Sequence, residues 1–410
     1  MTKIKAKPNY TPFVVLQIVS MTSIISGSMM FLIFPWLCID LTGQASSAGL
    51  MVTISSIPGL LISPVIGSII DKFGRRRVGF ITETQMALVT LAFPILVGTF
   101  GPSYALILAV AVIRSLVGSG NSTARKSLVP DAAAEAKMSL ERANSIHESV
   151  FAAGFAIGPA IGAIAIQWVG AVNAFWISGF IGLFAGLATL FIRVLEQHEE
   201  QDPDENRKFF SYAIQGFAIL FKTPSVLLLM TTIMTLALIY MPTEMVVLPV
   251  YYNSLGDSQT LGFLISIMAG FTTVGSLLFE RLAKLFSFST LLRVALLGVA
   301  FAMVPMSLLP PSWMMFVFGA ILGLAWGPLP PLLNTVIQRK VPANKRGRVF
   351  SLEMTIWTAG PMISMSLAGM ATDAWGVRLV YPILAALVLL AMFFVITRKT
   401  VAQLNTSEHA

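Results

Sequence analysis

Glu83, Glu148, Glu244 and Arg114 each stand inside a stretch that is otherwise almost wholly apolar. Ionisable groups in such surroundings bind protons or cations. A desolvated carboxyl group favours its protonated form and a nearby guanidinium favours the charged one, so a carboxylate that moves between these settings loads and releases a proton. Arg114 lies about 8 residues, or roughly 12 Å, from the nearer end of its apolar run, too deep for its head to reach water easily. An arginine at that depth faces a cavity or a carboxylate. Glu83 and Glu148 stand about 5 residues inside the same boundary on neighbouring runs, within reach of Arg114. Each is a proton carrier, or alternatively half of a fixed ion pair. Glu244 sits in Tyr240-Met241-Pro242-Thr243-Glu244, with Pro249 beyond it. Prolines free backbone carbonyls, which is tolerated where a segment lines a cavity, and a carboxylate there takes a proton or a cationic substrate. Met30 and Phe34, in the first apolar run, supply a soft adaptable lining for the same cavity.

The elements that position these groups are membrane spans. Of 410 residues, 56% are hydrophobic and only 11% charged, with a mean hydropathy of +0.81. No soluble domain sustains such values over this length. A hydrocarbon core about 30 Å thick takes roughly 20 helical residues to cross. The apolar runs give twelve spans, at 11–39, 47–70, 78–100, 103–122, 144–168, 171–193, 224–251, 259–280, 288–309, 312–335, 349–371 and 377–397. With the N-terminus inside, every one of the 27 Lys and Arg except Arg114 and Arg378 falls on the inner side. Basic residues are retained on the cytoplasmic side, so this asymmetry predicts cytoplasmic N- and C-termini. It also accounts for the pI near 9.7 without nucleic acid as a partner. Cys38 is the single cysteine, so no disulfide forms within the chain. Neither a phosphate-binding G-x-x-x-x-G-K-[ST] loop nor an H-E-x-x-H pair occurs, and the three histidines are scattered. ATP-driven transport, a metal site and an enzymatic centre with catalytic residues are therefore not expected.

Between the second and third runs lies Gly67-Ser68-Ile69-Ile70-Asp71-Lys72-Phe73-Gly74-Arg75-Arg76-Arg77. Its spacing resembles the loop between spans two and three of major facilitator superfamily transporters. The resemblance assigns Gly67, Asp71, Gly74, Arg75 and Arg76 to gating, with Asp71 against the start of the eleventh span, near Arg348–Glu353. Arg114-x-x-Val117-Gly118-x-Gly120 resembles the span-four motif of proton-driven antiporters, although Val117 stands where that pattern has Gln. Gly154, Gly158, Pro159 and Gly162 make a smooth helix face, and the pattern resembles the exporter signature of the superfamily, with Ala163 as its last small residue. Asp40-Leu41-Thr42-Gly43 and Leu140-Glu141-Arg142-Ala143-Asn144-Ser145 are similar to the branch that includes enterobactin-type siderophore and macrolide exporters, as are Asn121 and Val129-Pro130-Asp131.

The expected molecule is an all-α integral membrane protein of two six-helix repeats. The first half covers residues 1–193, a cytoplasmic linker 194–222, and the second half 223–410. Gly275-Ser276-Leu277-Leu278 echoes Gly67-Ser68-Ile69-Ile70, and Gly360-Pro361 echoes Gly158-Pro159. The resemblance implies a monomeric secondary efflux transporter of a bacterial inner membrane. It needs no cofactor, is driven by the proton gradient, and carries a small amphipathic molecule, drug-like or a siderophore. A nutrient importer of the same fold is the alternative, and a membrane sensor or scaffold is the alternative from another class.

Overall fold

The computed structural model describes residues 8–194, 220–341 and 343–398, together with 401, 404 and 405. The linker expected at 194–222 lies almost wholly outside the described residues. So do the surroundings of Gly67, Asp71 and Arg348 inside their helices.

Every described element is helical: α1 (Thr11–Thr42), α2 (Ala45–Phe73), α3 (Arg75–Phe100), α4 (Tyr104–Gly118), α5 (Asn121–Ser127), α6 (Val129–Glu135), α7 (Leu140–Thr189), α8 (Pro224–Pro242), a π-helical turn (Thr243–Val247), α9 (Leu248–Ser254), α10 (Ser258–Leu285), α11 (Phe288–Ser307), α12 (Ser312–Trp326), α13 (Leu329–Lys340), α14 (Ala343–Trp375) and α15 (Val377–Ile396). Lipid offers no partner to a free backbone N–H or C=O, so a chain this apolar folds into elements that satisfy their own hydrogen bonds. Among the described residues ten helices are long and apolar enough to cross a membrane, the longest running Arg142–Thr189. That helix breaks at Gly170 (φ 82°, ψ 159°) and supplies two spans. With α14 the count reaches the expected twelve.

Two breaks position candidate site residues. Gly74 (φ 88°) is the whole turn between α2 and α3, a conformation that a Cβ would strain. Gly120 (φ 87°) lets the chain resume a helix after α4, so that α5 continues the fourth span.

The chain forms two compact units, one of residues 1–30 and 57–206, the other of 31–56 and 207–410. In the first, Phe13, Leu16 and Val19 of α1 pack with Leu128, Ala132 and Ile192 into a buried cluster. In the second, α12 lies close on α10. Cβ atoms at Gly323 and Gly327 would fall 2.2 Å and 2.3 Å from the carbonyl oxygens of Met268 and Thr272. The second unit also holds the end of α1 and the start of α2. There Asp373, at the end of α14, accepts hydrogen bonds from the Ala45 and Ser46 amides at 2.6 Å and 2.9 Å. Thr53 Oγ1 donates to the Met362 carbonyl at 2.5 Å.

Candidate functional site

Glu83 is fully buried on α3. Its Oε2 accepts from Ser23 Oγ of α1 at 2.6 Å, from Asn121 Nδ2, and from Arg125 Nη1 at 2.5 Å. Arg125 Nη1 also donates to Asn121 Oδ1. Asn121 and Arg125 are one turn apart on α5 and share a face, and both are buried. Reading the fourth span as ending at residue 122 left Arg125 among the loop cations. The Gly120 break carries it back into the bundle instead. The Asn121-x-x-x-Arg125 spacing is the signal that would have found it.

The expected partnership of Arg114 with a carboxylate takes a different form. Arg114 makes no ion pair among the described residues; its Nε donates to Thr90 Oγ1 of α3 at 3.0 Å. Glu83 is nonetheless the charge that acts on it. Glu83 Oε1 and Arg114 Nη2 are each buried without a hydrogen-bond partner among the described residues. Oε1 points towards Gly182, where a Cβ would stand 3.8 Å away. Glu148 is corrected more sharply. Its side chain is 58% exposed and pairs with the still more exposed Lys126 at 2.8 Å, so the rim of α7 holds it away from Arg114. A pair in that setting contributes little. His147, its neighbour, hydrogen-bonds Gln17 of α1 through Nδ1 at 3.1 Å.

At the turn, Arg75 Nη1 pairs with Asp131 of α6 at 2.8 Å and donates to the Ser127 carbonyl at 3.2 Å. Arg76 Nη2 donates to the Leu190 carbonyl at 2.9 Å. The turn is thereby tied to α5–α6 and to the end of α7. Gly154, Gly158, Pro159 and Gly162 are all buried. A Cβ at Gly154 would meet Ile24 at 3.0 Å, and one at Gly158 would fall 1.8 Å from Ser28 Oγ and 2.8 Å from the Ile25 carbonyl. Close approach of α1 and α7 therefore depends on these glycines. Gly158→Val is expected to lower stability by about 1–3 kcal/mol through overpacking, read as thermal unfolding in detergent. Gly98→Ala, at a position with open space around it, should leave unfolding unchanged or slightly raised. Equal stability of Gly158→Val and wild type would remove the close-packing role.

In the second unit Glu244 lies on the π-helical turn that follows Pro242. Such turns mark functional sites because a widened ring redirects side chains. The Tyr240 hydroxyl stands in the electrostatic neighbourhood of the Glu244 carboxyl, and the Tyr240 ring stacks on Trp326 with centroids 5.4 Å apart. Tyr381 of α15 completes the electrostatic neighbourhood. Glu244 has no ion-pair partner among the described residues and is 9% exposed. Tyr240 precedes Glu244 by one helical turn in the sequence, whereas Trp326 and Tyr381 reach it from distant helices. Met30 and Phe34, expected to line a cavity, are instead closed in the interior at 2% and 7% exposure. Their apolar bodies gain more from close packing on neighbouring helices than from facing a polar cavity.

The family model described as Major Facilitator Superfamily matches residues 16–352 and 245–409. The multidrug efflux pump Tap of Mycolicibacterium fortuitum is 29% identical over 377 residues, covering 90% of each chain. Its counterpart in Mycobacterium tuberculosis strain H37Rv is 30% identical over 359 residues, covering 86% of this chain and 85% of that protein. Among solved structures, the nucleoside transporter NupG superposes with a TM-score of 0.77 at 12% identity, over 94% of this chain and 98% of that one. A bacterial homologue of the iron transporter ferroportin, in an inward-facing state, superposes at 0.71 with 15% identity, over 96% and 98%. At those identities the structures speak for the fold alone. The protein is a multi-pass membrane transporter of the major facilitator superfamily.

Proposed function

We propose that the protein is an efflux transporter that exchanges protons for a small amphipathic molecule, drug-like or a siderophore, with a cationic drug-like compound the reading the site favours. The observation that carries this reading is the similarity to multidrug efflux pumps along nearly the whole of both chains. The close-packed Gly154–Gly162 face of the exporter signature supports the direction. The proton gradient is the energy source, and the inner membrane of a bacterium the setting. The halves 1–193 and 223–410 act as the two repeats, with both termini cytoplasmic.

The chemistry rests on two carboxylates. A buried carboxyl group without a cation beside it must carry a proton or hold a cationic ligand. Glu244 answers to this description, and Tyr240 and Trp326 offer ring faces that attract an organic cation. Proton and cation therefore exclude one another at Glu244, which is what antiport requires. Glu83 and Arg114 form the other station. Glu83 exchanges Arg125 for a proton as the bundle rearranges, and Arg114 compensates the charge that changes there.

Cells producing the protein are expected to extrude ethidium, a planar organic cation, until an uncoupler collapses the proton gradient. Everted vesicles should accumulate it when acidified inside. Accumulation by intact cells would instead identify an importer. Glu244→Gln should cut ethidium transport at least tenfold, since the neutral amide gives up the charge that a cation–π cage of about 0.5–2 kcal/mol only supplements. Unchanged ethidium turnover in Glu244→Gln would remove the residue from the site. Orientation is tested separately in a Cys38→Ser background. A cysteine at Asp257 should react with an impermeant thiol reagent from outside, and one at Lys126 only after permeabilisation; the reverse pattern would invert the topology.

A further inference from the structure

We propose that His147 is the residue through which Glu83 exchanges its proton with water, along a buried line of polar side chains on α1. The inference rests on the reading of Glu83 as a proton carrier. All the residues it uses belong to the first compact unit.

Glu83 is fully buried, so a proton on it needs a path. Three groups meet its Oε2: Ser23 Oγ at 2.6 Å, Asn121 Nδ2 and Arg125 Nη1. Amide and guanidinium nitrogens only donate, whereas a hydroxyl donates and accepts at once. Ser23 is therefore the outlet. Ser20 and Gln17 follow it in three-residue steps towards the N-terminus of α1, and Gln17 Oε1 meets His147 Nδ1 at 3.1 Å. Leu16 and Val19, beside them in sequence, turn into the apolar cluster instead. Cβ atoms three residues apart on a helix are separated by about 5–6 Å, a gap that one water closes with two hydrogen bonds of about 2.8 Å. Two orphaned atoms point to water on this line. Ser20 is fully buried, and its Oγ and Gln17 Nε2 are both enclosed without a hydrogen-bond partner among the described residues. Buried polar atoms of this kind are the ones that ordered water satisfies.

His147 joins this line to the solvent. It lines a cleft of about 510 Å³ together with Ser122, Thr123, Ser127, Lys126 and Glu148. The last two are largely in water. The charges that act on the imidazole are Glu148 of its own helix and Arg125 and Lys126 of α5, while α1 presents the neutral Gln17. Imidazole changes protonation nearer neutral pH than any other ordinary side chain, and its two nitrogens can serve opposite directions. In the transfer the Glu83 O–H bond breaks, and each hydroxyl or water on the line takes one proton and passes on its own. An N–H bond forms at His147 Nδ1 while Nε2 gives its proton to water in the cleft. The ring stays neutral with its tautomer exchanged, and the Glu83 carboxylate is left to Arg125. In the proposed topology the cleft faces the cytoplasm, so this line is the proton's exit.

The test is a rapid pH jump on the purified full-length protein, read by time-resolved infrared absorption of the carboxyl C=O band that Glu83→Gln removes. In wild type the band should follow the jump. In His147→Gln, whose amide can still bond Gln17, the amplitude should be unchanged and the rate roughly tenfold lower or more, the loss of one positioned proton-transfer group. Gln17→Leu removes the amide between the ring and Ser20 and should slow the band likewise. A wild-type rate in His147→Gln, or in Gln17→Leu should the first variant not fold, overturns the relay and leaves Glu83 as a proton carrier. A changed amplitude at the wild-type rate makes His147 a structural neighbour and overturns the relay too. If Glu83→Gln removes no band, the reading of Glu83 as a carrier falls, and the relay falls with it.

Discussion

Glu83→Gln is expected to abolish transport driven by a pH gradient, while Glu148→Gln transports at close to the wild-type rate. The two residues are alike in sequence depth and opposite in surroundings. Glu148 faces water beside Lys126. Glu83 is completely buried and collects Ser23, Asn121 and Arg125 on a single oxygen. Glutamine keeps the volume and still accepts from Ser23 and Asn121, but leaves Arg125 as an uncompensated buried charge. Breaking a buried pair from one side costs about 3–5 kcal/mol, so a fall in stability accompanies the loss of transport. Glu83→Gln/Arg125→Gln separates the two effects, because it removes both charges and should recover most of the stability. If the double variant regains pH-driven transport, Glu83 is a structural residue and coupling lies elsewhere. If it folds, exchanges substrate downhill and ignores the pH gradient, Glu83 carries the proton. Full pH-driven transport by Glu83→Gln alone would dispose of the proposal outright.

The contrast between these carboxylates shows where the sequence is legible. Spans follow from apolar length because lipid leaves the backbone no alternative, and the twelve runs reappear as helices with ends shifted by a few residues. Side-chain partnership depends on how a helix is rotated about its axis, which one sequence does not print. Arg114 and Glu83 were matched by depth, yet the Gly120 break rotates Arg125 into the position that Arg114 was expected to hold. Glu244 stands out through its prolines, with Tyr240 one turn before it, but Trp326 and Tyr381 come from separate helices and converge on it only in the fold. The Gly319-x-x-x-Gly323-x-x-x-Gly327 series, running along α12 to its C-cap, is a close-packing face hidden among many other small residues. Gly154–Gly162 is legible because its proline and spacing resemble a known pattern.

Gly369→Val is expected to reduce turnover at least tenfold by holding apart the ends of α2 and α14. In the structure these ends are in contact: a Cβ at Gly369 would lie 2.8 Å from Ser46 Cα and 2.9 Å from the Ala45 carbonyl, and one at Gly49 would lie 2.4 Å from the Met365 carbonyl. These obstacles are backbone and do not yield to a rotamer change. Overpacking of about 1–3 kcal/mol falls on the closed arrangement only, so populations shift by roughly 5- to 150-fold. Asp373 seals the same junction by capping the start of α2. A carboxylate at a helix N-terminus contributes about 0.3–1 kcal/mol, and up to about 2 when partly buried. Asp373→Asn should therefore shift the equilibrium in the same direction by a smaller factor. The proposed role of Asp71 is the counterpart at the opposite end of α2, a carboxylate against the start of the eleventh span, so Asp71→Asn should bias the protein towards the other state. The readout is the reactivity of a single cysteine at Gln44 with an impermeant thiol reagent, on the outside in the proposed topology. Gly369→Val and Asp373→Asn should raise it and Asp71→Asn should lower it. If Gly369→Val leaves both reactivity and turnover at wild-type values, the junction of α2 with α14 is not a gate.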